Sequence, residues 1–248
     1  MNPHTKFKKI IAQLRDPENG CPWDLKQTHE SLKPYLIEES YEVIDAIDNH
    51  PEKICEELGD VLLQVYLHAQ IASDMGTFTI EDIFEKITEK MIVRHPHIFG
   101  DVQVSDADEV RSNWEQIKQA ERKEKKSLLD DIPKSLPSLE MSHKFGEKAS
   151  RVNFDWPDTA SVKEKIKEEL QELLEASEPE LEEEEFGDLL FVLSQYARKM
   201  GFHSEIALLK ACSKFKKRFR FVEETAGDDL GALSLNQLEK LWKTAKTK

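Results

Sequence analysis

Three cysteines in 248 residues, none in a C-x-x-C pair, leave this chain without a disulfide framework or a zinc-ligand pattern. Cys21, Cys55 and Cys212 form an odd set that suits a reducing compartment, and a cytoplasmic location is expected. Glycine is scarce, nine residues, and no G-x-x-x-x-G-K-[ST] loop occurs, so the chain is not a P-loop ATPase. The absence of an R-E-x-x-E-E helix with an upstream glycine argues against a Nudix hydrolase. No stretch is long and apolar enough to span a bilayer, and residues 1–16 are amphipathic and charged, unlike a signal peptide. Positive charge is in deficit: 35 Lys and Arg against 49 Asp and Glu give a net charge of −14. Neither a nucleic-acid binder nor a membrane binder is expected from that balance. Strand alternation is missing too, residues 102–104 being too few to count.

Helical periodicity is what the chain has instead. Residues 3–15, 28–49, 51–75, 79–93 and 106–123 read as helices of a first half, and 138–150, 160–176, 178–200, 203–223 and 234–247 as those of a second. The expected fold class is all-α, a tandem repeat of two helical-hairpin domains resembling four-helix bundles. They span 1–126 and 138–248, with 127–137 as a linker marked by Pro133, Pro137 and Asp130-Asp131. Arg122, Lys123, Lys125 and Lys126 form a local basic cluster beside that linker and read as part of it.

One acidic pattern occurs twice. Glu38-Glu39-x-x-Glu42 is followed by Glu57-x-x-Asp60, and Glu168-Glu169-x-x-Glu172 by Glu185-x-x-Asp188, at offsets of 130 and 128 positions. Residues three or four apart share a helix face, and an antiparallel helical hairpin brings four or five carboxylates around one point. Like charges so placed repel unless a cation compensates them. All-oxygen donors suit a hard divalent ion, and Mg²⁺ is the expected one. A solvated acidic face accounts for Glu182, Glu183 and Glu184, but solvation does not require one spacing twice. A di-iron bundle would want Glu-x-x-His on two helices, and the residues three after Glu38, Glu39 and Glu57 are Tyr41, Glu42 and Asp60.

Smaller pieces repeat beside the acidic ones. Gly59 and Gly187 each precede the aspartate, where close helix packing is the expected reason and ligand approach to the backbone the other. Lys90-x-x-x-Arg94 matches Lys214-x-x-x-Arg218, and Trp114-x-x-x-Lys118 matches Trp242-x-x-x-Lys246. Two cations one helical turn apart can hold a phosphate chain, and favourable placement at a helix C-terminus explains them equally well. A tryptophan with a lysine four residues on suits a base and a phosphate, although core packing explains most tryptophans. The loop Gly20-Cys21-Pro22-Trp23-Asp24 precedes the first hairpin and Phe154-Asp155-Trp156-Pro157 the second. Such a loop either plugs its hairpin, the expected role, or covers a nucleotide.

With these residues the chain resembles the MazG family of nucleoside triphosphate pyrophosphohydrolases over nearly its whole length. The resemblance rests on both acidic sets, on NGCPWD from Asn19 to Asp24 and on RHPH from Arg94 to His97. It implies an all-α homodimer of interleaved hairpins that hydrolyses NTPs or dNTPs to the monophosphate and pyrophosphate with Mg²⁺. By position it implies Glu39, Glu42, Glu57 and Asp60 as metal ligands of the first domain and Glu169, Glu172, Glu185 and Asp188 as those of the second. Lys90, Arg94, Trp114 and Lys118 would bind nucleotide in the first, and Lys214, Arg218, Trp242 and Lys246 in the second.

Glu38 and Glu168 are the carboxylates left over for taking the attacking water's proton. Lys165 lies three and four residues before Glu168 and Glu169, where the first repeat has Tyr35, so Lys165 and Glu168 join the expected nucleotide-binding set. That lysine, with Lys216, Lys217 and Arg220 near the second clamp, favours the second domain as the more active one. A phosphohydrolase of other regiochemistry and a metal–nucleotide sensor without turnover are the competing functions. Complete carboxylate sets in both repeats weigh against the sensor.

Overall fold

The computed structural model describes residues 2–120 and 127–247, with nothing taken from the side chains of residues 119, 120, 228 and 229. All regular structure among the described residues is helical. The chain divides into two compact units, residues 1–123 and 124–248.

In the first unit α1 (Pro3–Leu14) and a short α2 (Pro22–Lys26) precede a long hairpin of α3 (Lys33–Asn49) and α4 (Ile54–Asp74). Then follow α5 (Ile80–Arg94), a one-turn α6 (Pro96–Phe99) and α7 (Ala107–Ala120). The core joins Ile11 of α1 and Leu32 to Tyr66, Leu67, Ala69 and Ile71 of α4 and Ile80 of α5. Fully burying a side chain of this size contributes about 1.5–3 kcal/mol, so this cluster sets where α4 stands. Arg15 fastens the loop after α1: its Nε donates to Asp74 at 2.8 Å, and its Nη1 donates to the carbonyls of Asp24 and Gln27.

The boundaries differ from the sequence reading where local chemistry intervenes. Helix α3 starts at 33, not 28, because Pro34 fits a first turn but would clash with a carbonyl four residues back in a longer helix. Residues 51–53 form a 3₁₀ turn that reverses the chain between α3 and α4. Thr79 caps α5, its hydroxyl and Asp82 forming a reciprocal capping box. The expected extension of α7 to 123 and the basic residues Arg122, Lys123, Lys125 and Lys126 lie outside the described residues.

The second unit packs α9 (Thr159–Glu175) along α10 (Pro179–Lys199) as its hairpin, with α8 (Ser138–Ser150) across α10. Helix α11 (Ser204–Ala226) lies against α8 and α10, and α12 (Leu235–Ala245) lies on α11. Polar groups tie this interior together. Fully buried Gln195 donates to the carbonyl of Ser142 at 2.6 Å and accepts from Arg198 Nε at 2.8 Å. The backbone of α8 comes so close there that a Cβ on Gly146 would stand 1.6 Å from Gln195 Oε1. The segment 127–137 has no helix, yet its Asp131 pairs with Lys148 of α8 at 2.6 Å, and Ile132 is buried.

The stop after the second helix of each hairpin is repeated too. Gly76 after α4 and Gly201 after α10 both take positive φ, 67° and 79°. They let Thr77 and Phe202 donate back to the carbonyls of Ala72 and Ala197.

Gly59 and Gly187 correct an expectation. A Cβ at either would meet nothing within 4 Å, so close packing inside the unit does not explain them. They face open space on hairpins whose apolar residues are also uncovered: Ile37 is 59% exposed, Leu58 52%, Leu174 72% and Phe186 53%.

Candidate metal and nucleotide site

Each hairpin gathers three glutamates. In the first unit the carboxylates of Glu39 and Glu42 on α3 and Glu57 on α4 have oxygen atoms all within 4.8 Å of one another. In the second, Glu169 and Glu172 on α9 and Glu185 on α10 do the same. The helical turn supplies the first two of each set, and the antiparallel neighbour supplies the third. Asp60 and Asp188, expected with them, stand outside this tight group, Asp60 half-buried and Asp188 exposed. Asp60 is still near enough to act on its neighbours electrostatically.

Electrostatics show a cluster short of positive charge. Burial pushes the Glu39 carboxyl above its ordinary range, and Asp60, Glu42, Glu38 and Glu57 push it further. Glu57 is raised by burial and then by Glu42, Glu56 and Asp60, against a lowering from Lys53. Glu185 is raised likewise by burial, Glu172, Glu169, Asp188 and Glu184. An all-carboxylate donor set that resists carrying its own charge fits a hard divalent cation.

The two clusters differ in one cation. In the second unit Lys165 Nζ lies 2.7 Å from Glu168 and 2.6 Å from buried Glu169. Both carboxylates hold the Lys165 ammonium charged, with its pKa raised. In the first unit Tyr35 stands at that position, its ring edge-on to Trp23 at 5.6 Å. Among the described residues no lysine or arginine forms an ion pair with Glu38, Glu39, Glu42, Glu57 or Asp60. Trp23 is 47% exposed while Asp24 beside it in the loop is buried. In the second unit Trp156 is half-buried, its loop fastened through Asp155 to Arg198 and Lys199.

The other expected nucleotide-binding residues separate into pairs. Arg94 lies over the Trp114 ring at 5.1 Å, and Arg218 over Trp242 at 6.0 Å. Lys90 and Lys214 are exposed one turn before those arginines. Lys118 is half-buried and pairs with Glu115 at 3.6 Å, while Lys246 is exposed at the end of α12. Each tryptophan also has an aromatic companion that the Trp-x-x-x-Lys spacing does not indicate. His95 meets Trp114 edge-on at 5.1 Å, and Phe215 meets Trp242 at 5.0 Å. The signal for both was adjacency, since each directly follows a residue of the repeated clamp, Arg94 or Lys214.

Comparison with known proteins matches the same segments. The MazG nucleotide pyrophosphohydrolase domain matches residues 27–99 and again 158–222, which contain the two acidic hairpins. The chain is 50% identical over 242 residues to the nucleoside triphosphate pyrophosphohydrolase/pyrophosphatase MazG of Thermotoga maritima, covering 96% of this chain and 93% of that protein. It is 42% identical over 257 residues to the nucleoside triphosphate pyrophosphohydrolase of Escherichia coli K12, covering 99% of this chain and 98% of that one. The uncharacterized protein YabN of Bacillus subtilis is 50% identical over 249 residues, which are 97% of this chain and 51% of YabN. With two domain matches and near-full-length relatives, this chain belongs to the MazG nucleotide pyrophosphohydrolase family.

Proposed function

We propose that this chain hydrolyses nucleoside triphosphates, NTPs or dNTPs, at the α–β phosphoanhydride to the monophosphate and pyrophosphate. The observation that carries this reading is the same three-glutamate cluster, with ligand atoms within 4.8 Å, on the hairpin of both units. The names of the Thermotoga and Escherichia relatives, both nucleoside triphosphate pyrophosphohydrolases, support it.

Mg²⁺ is the proposed cofactor; held by Glu39, Glu42, Glu57 and Asp60, or by Glu169, Glu172, Glu185 and Asp188, it would neutralise phosphate charge and acidify water. The rest falls to side chains. Lys90 with Arg94, and Lys214 with Arg218, hold the phosphate chain, while Trp114 and Trp242 offer a face to the base, with Lys118 and Lys246 beside them. Glu38 is exposed next to Glu39 and accepts the proton of the attacking water, whose oxygen bonds to the α-phosphorus as the bridging oxygen leaves with pyrophosphate. Glu168 takes that role in the second unit once Lys165 turns to the substrate.

Each unit is read as a catalytic domain, and nucleotide-pool house-cleaning in the cytoplasm as its setting. A second copy of the chain is the proposed cover for the exposed apolar residues of the hairpins, and light scattering on the purified protein tests that homodimer. No helix among the described residues is long and apolar enough to cross a membrane.

Chromatographic product analysis with Mg²⁺ and a panel of NTPs and dNTPs tests the reaction, with Asp60→Ala and Asp188→Ala in parallel. Monophosphate and pyrophosphate, reduced in one variant, support the reading and name the working unit. Diphosphate and phosphate would show that another bond is cut, and binding without turnover would show a sensor.

A further inference from the structure

The two acidic clusters are not equally ready for a cation, and one side chain makes the difference. Resting on the metal reading above, we propose that Lys165 is a built-in occupant of the second cluster that must leave before a divalent ion binds. Metal loading there is then conditional on a polyphosphate, whereas the first cluster loads without one.

The geometry supports this step by step. Lys165 Nζ sits between Glu168 and Glu169 at 2.7 and 2.6 Å, at charge-assisted hydrogen-bond distance from both. Glu169 is one of the three carboxylates of the cluster, and its side chain is only 6% exposed. An ammonium held against a buried carboxylate engages the lone pairs a metal needs. Attraction between such a pair is stronger than between exposed charges, because less water screens it. Glu169 therefore has a partner before any metal arrives.

Among the described residues the first cluster has no such partner. Tyr35 carries no charge and its ring is turned against Trp23. The lysine whose field reaches this cluster, Lys53, acts on Glu57 but forms no ion pair with it among the described residues. Glu39, Glu42 and Glu57 are left facing one another, and an incoming cation has nothing to displace.

Lys165 is free to leave. Its side chain is 32% exposed, and a lysine on a flexible stem can turn away without opening a core. Leaving is unfavourable unless the ammonium finds another anion, and a nucleoside triphosphate brings one. Metal and polyphosphate therefore favour each other's binding in the second unit, and the coupling is reciprocal by linkage.

The test measures Mn²⁺ binding to the full chain by calorimetry, with no turnover involved. Glu39→Gln with Glu57→Gln silences the first cluster, leaving the second to be titrated with and without Lys165→Met. Removing the lysine is expected to tighten Mn²⁺ at the second cluster roughly tenfold, the scale of a partly screened ion pair. In the reciprocal experiment Glu169→Gln with Glu185→Gln silences the second cluster, and Tyr35→Lys is expected to weaken Mn²⁺ at the first by a similar factor. A non-hydrolysable triphosphate analogue should tighten Mn²⁺ at the second cluster more with Lys165 than with methionine there. Circular dichroism on each variant separates lost binding from lost folding. Equal Mn²⁺ affinity with lysine and with methionine at 165 overturns the inference and leaves the metal reading standing. No Mn²⁺ at either cluster in any folded variant overturns both.

Discussion

The guanidinium of Arg94, at the end of α5, lies over the indole of Trp114 on α7, 5.1 Å from the ring centroid. Arg218 and Trp242 repeat that relationship between α11 and α12 at 6.0 Å. Stacking on the indole fixes the plane of the guanidinium, whose fork geometry suits phosphate.

From this pairing Trp242→Ala and Trp114→Ala should raise KM in the unit affected, each by about fivefold or more, on the scale of a cation–π contact. Arg218→Lys should also lose affinity, because a point charge does not replace a planar fork. Steady-state kinetics on each variant check this, and unchanged KM in all of them would remove the arginine–indole pairs from the binding site.

Cluster repulsion has a thermal consequence. Raised carboxyls at Glu39, Glu57 and Glu185 mean that the metal-free fold holds charge it would rather shed. Each folded pKa lies above its unfolded value, so each group opposes folding once the pH exceeds the ordinary carboxylate range. Glu39→Gln should therefore raise the melting temperature in chelator at neutral pH, and Mg²⁺ should raise that of the wild type through binding. A wild type that melts alike in chelator and in Mg²⁺ would contradict this.

Gly59 and Gly187 sit inside helices with nothing near an added Cβ. Alanine should stabilise the metal-free chain by roughly 0.5–1 kcal/mol at each position, the intrinsic helix gain. If a ligand or second copy approaches the bare backbone, the same change lowers kcat/KM or weakens self-association. Denaturant titration and kinetics on the two variants measure both effects. Gly146→Ala, by contrast, collides with Gln195 and should destabilise the second unit.

His143 is buried in α8 with its ring stacked on His203 at 4.3 Å. Burial lowers its pKa first and His203 lowers it further, as does Lys144, while Glu140 and Glu147 oppose them. The unfolded chain takes the proton near the ordinary value of 6.5, the folded chain only at lower pH. Stability from this group is complete above that value and declines as pH falls below it toward the folded pKa. His68, lowered by burial and by His29, adds a slope of the same sign in the first unit. Melting temperatures from about pH 8 to about pH 5.5 should fall less steeply in His143→Asn than in wild type. Equal slopes would refute the assignment to His143.

Periodicity alone told which residues share a helix face, because a turn of helix is local geometry. Glu39 with Glu42, Glu169 with Glu172, and the helical character of nearly every element were readable for that reason. The doubling of the pattern supplied what one copy lacks, since scattered charge does not repeat at one spacing. Other features depended on residues far apart in the chain. Helix packing placed Glu57 and Glu185 against their partners and left Asp60 and Asp188 outside the tight groups. It also set Arg94 over Trp114 and left Gly59 open. Lys165 was visible as one turn from Glu168 and Glu169, but the burial of Glu169, only 6% exposed, comes from the packing around it. Local backbone geometry is written residue by residue, whereas the surroundings of a charge depend on which helices bury it, and only the tertiary structure decides that.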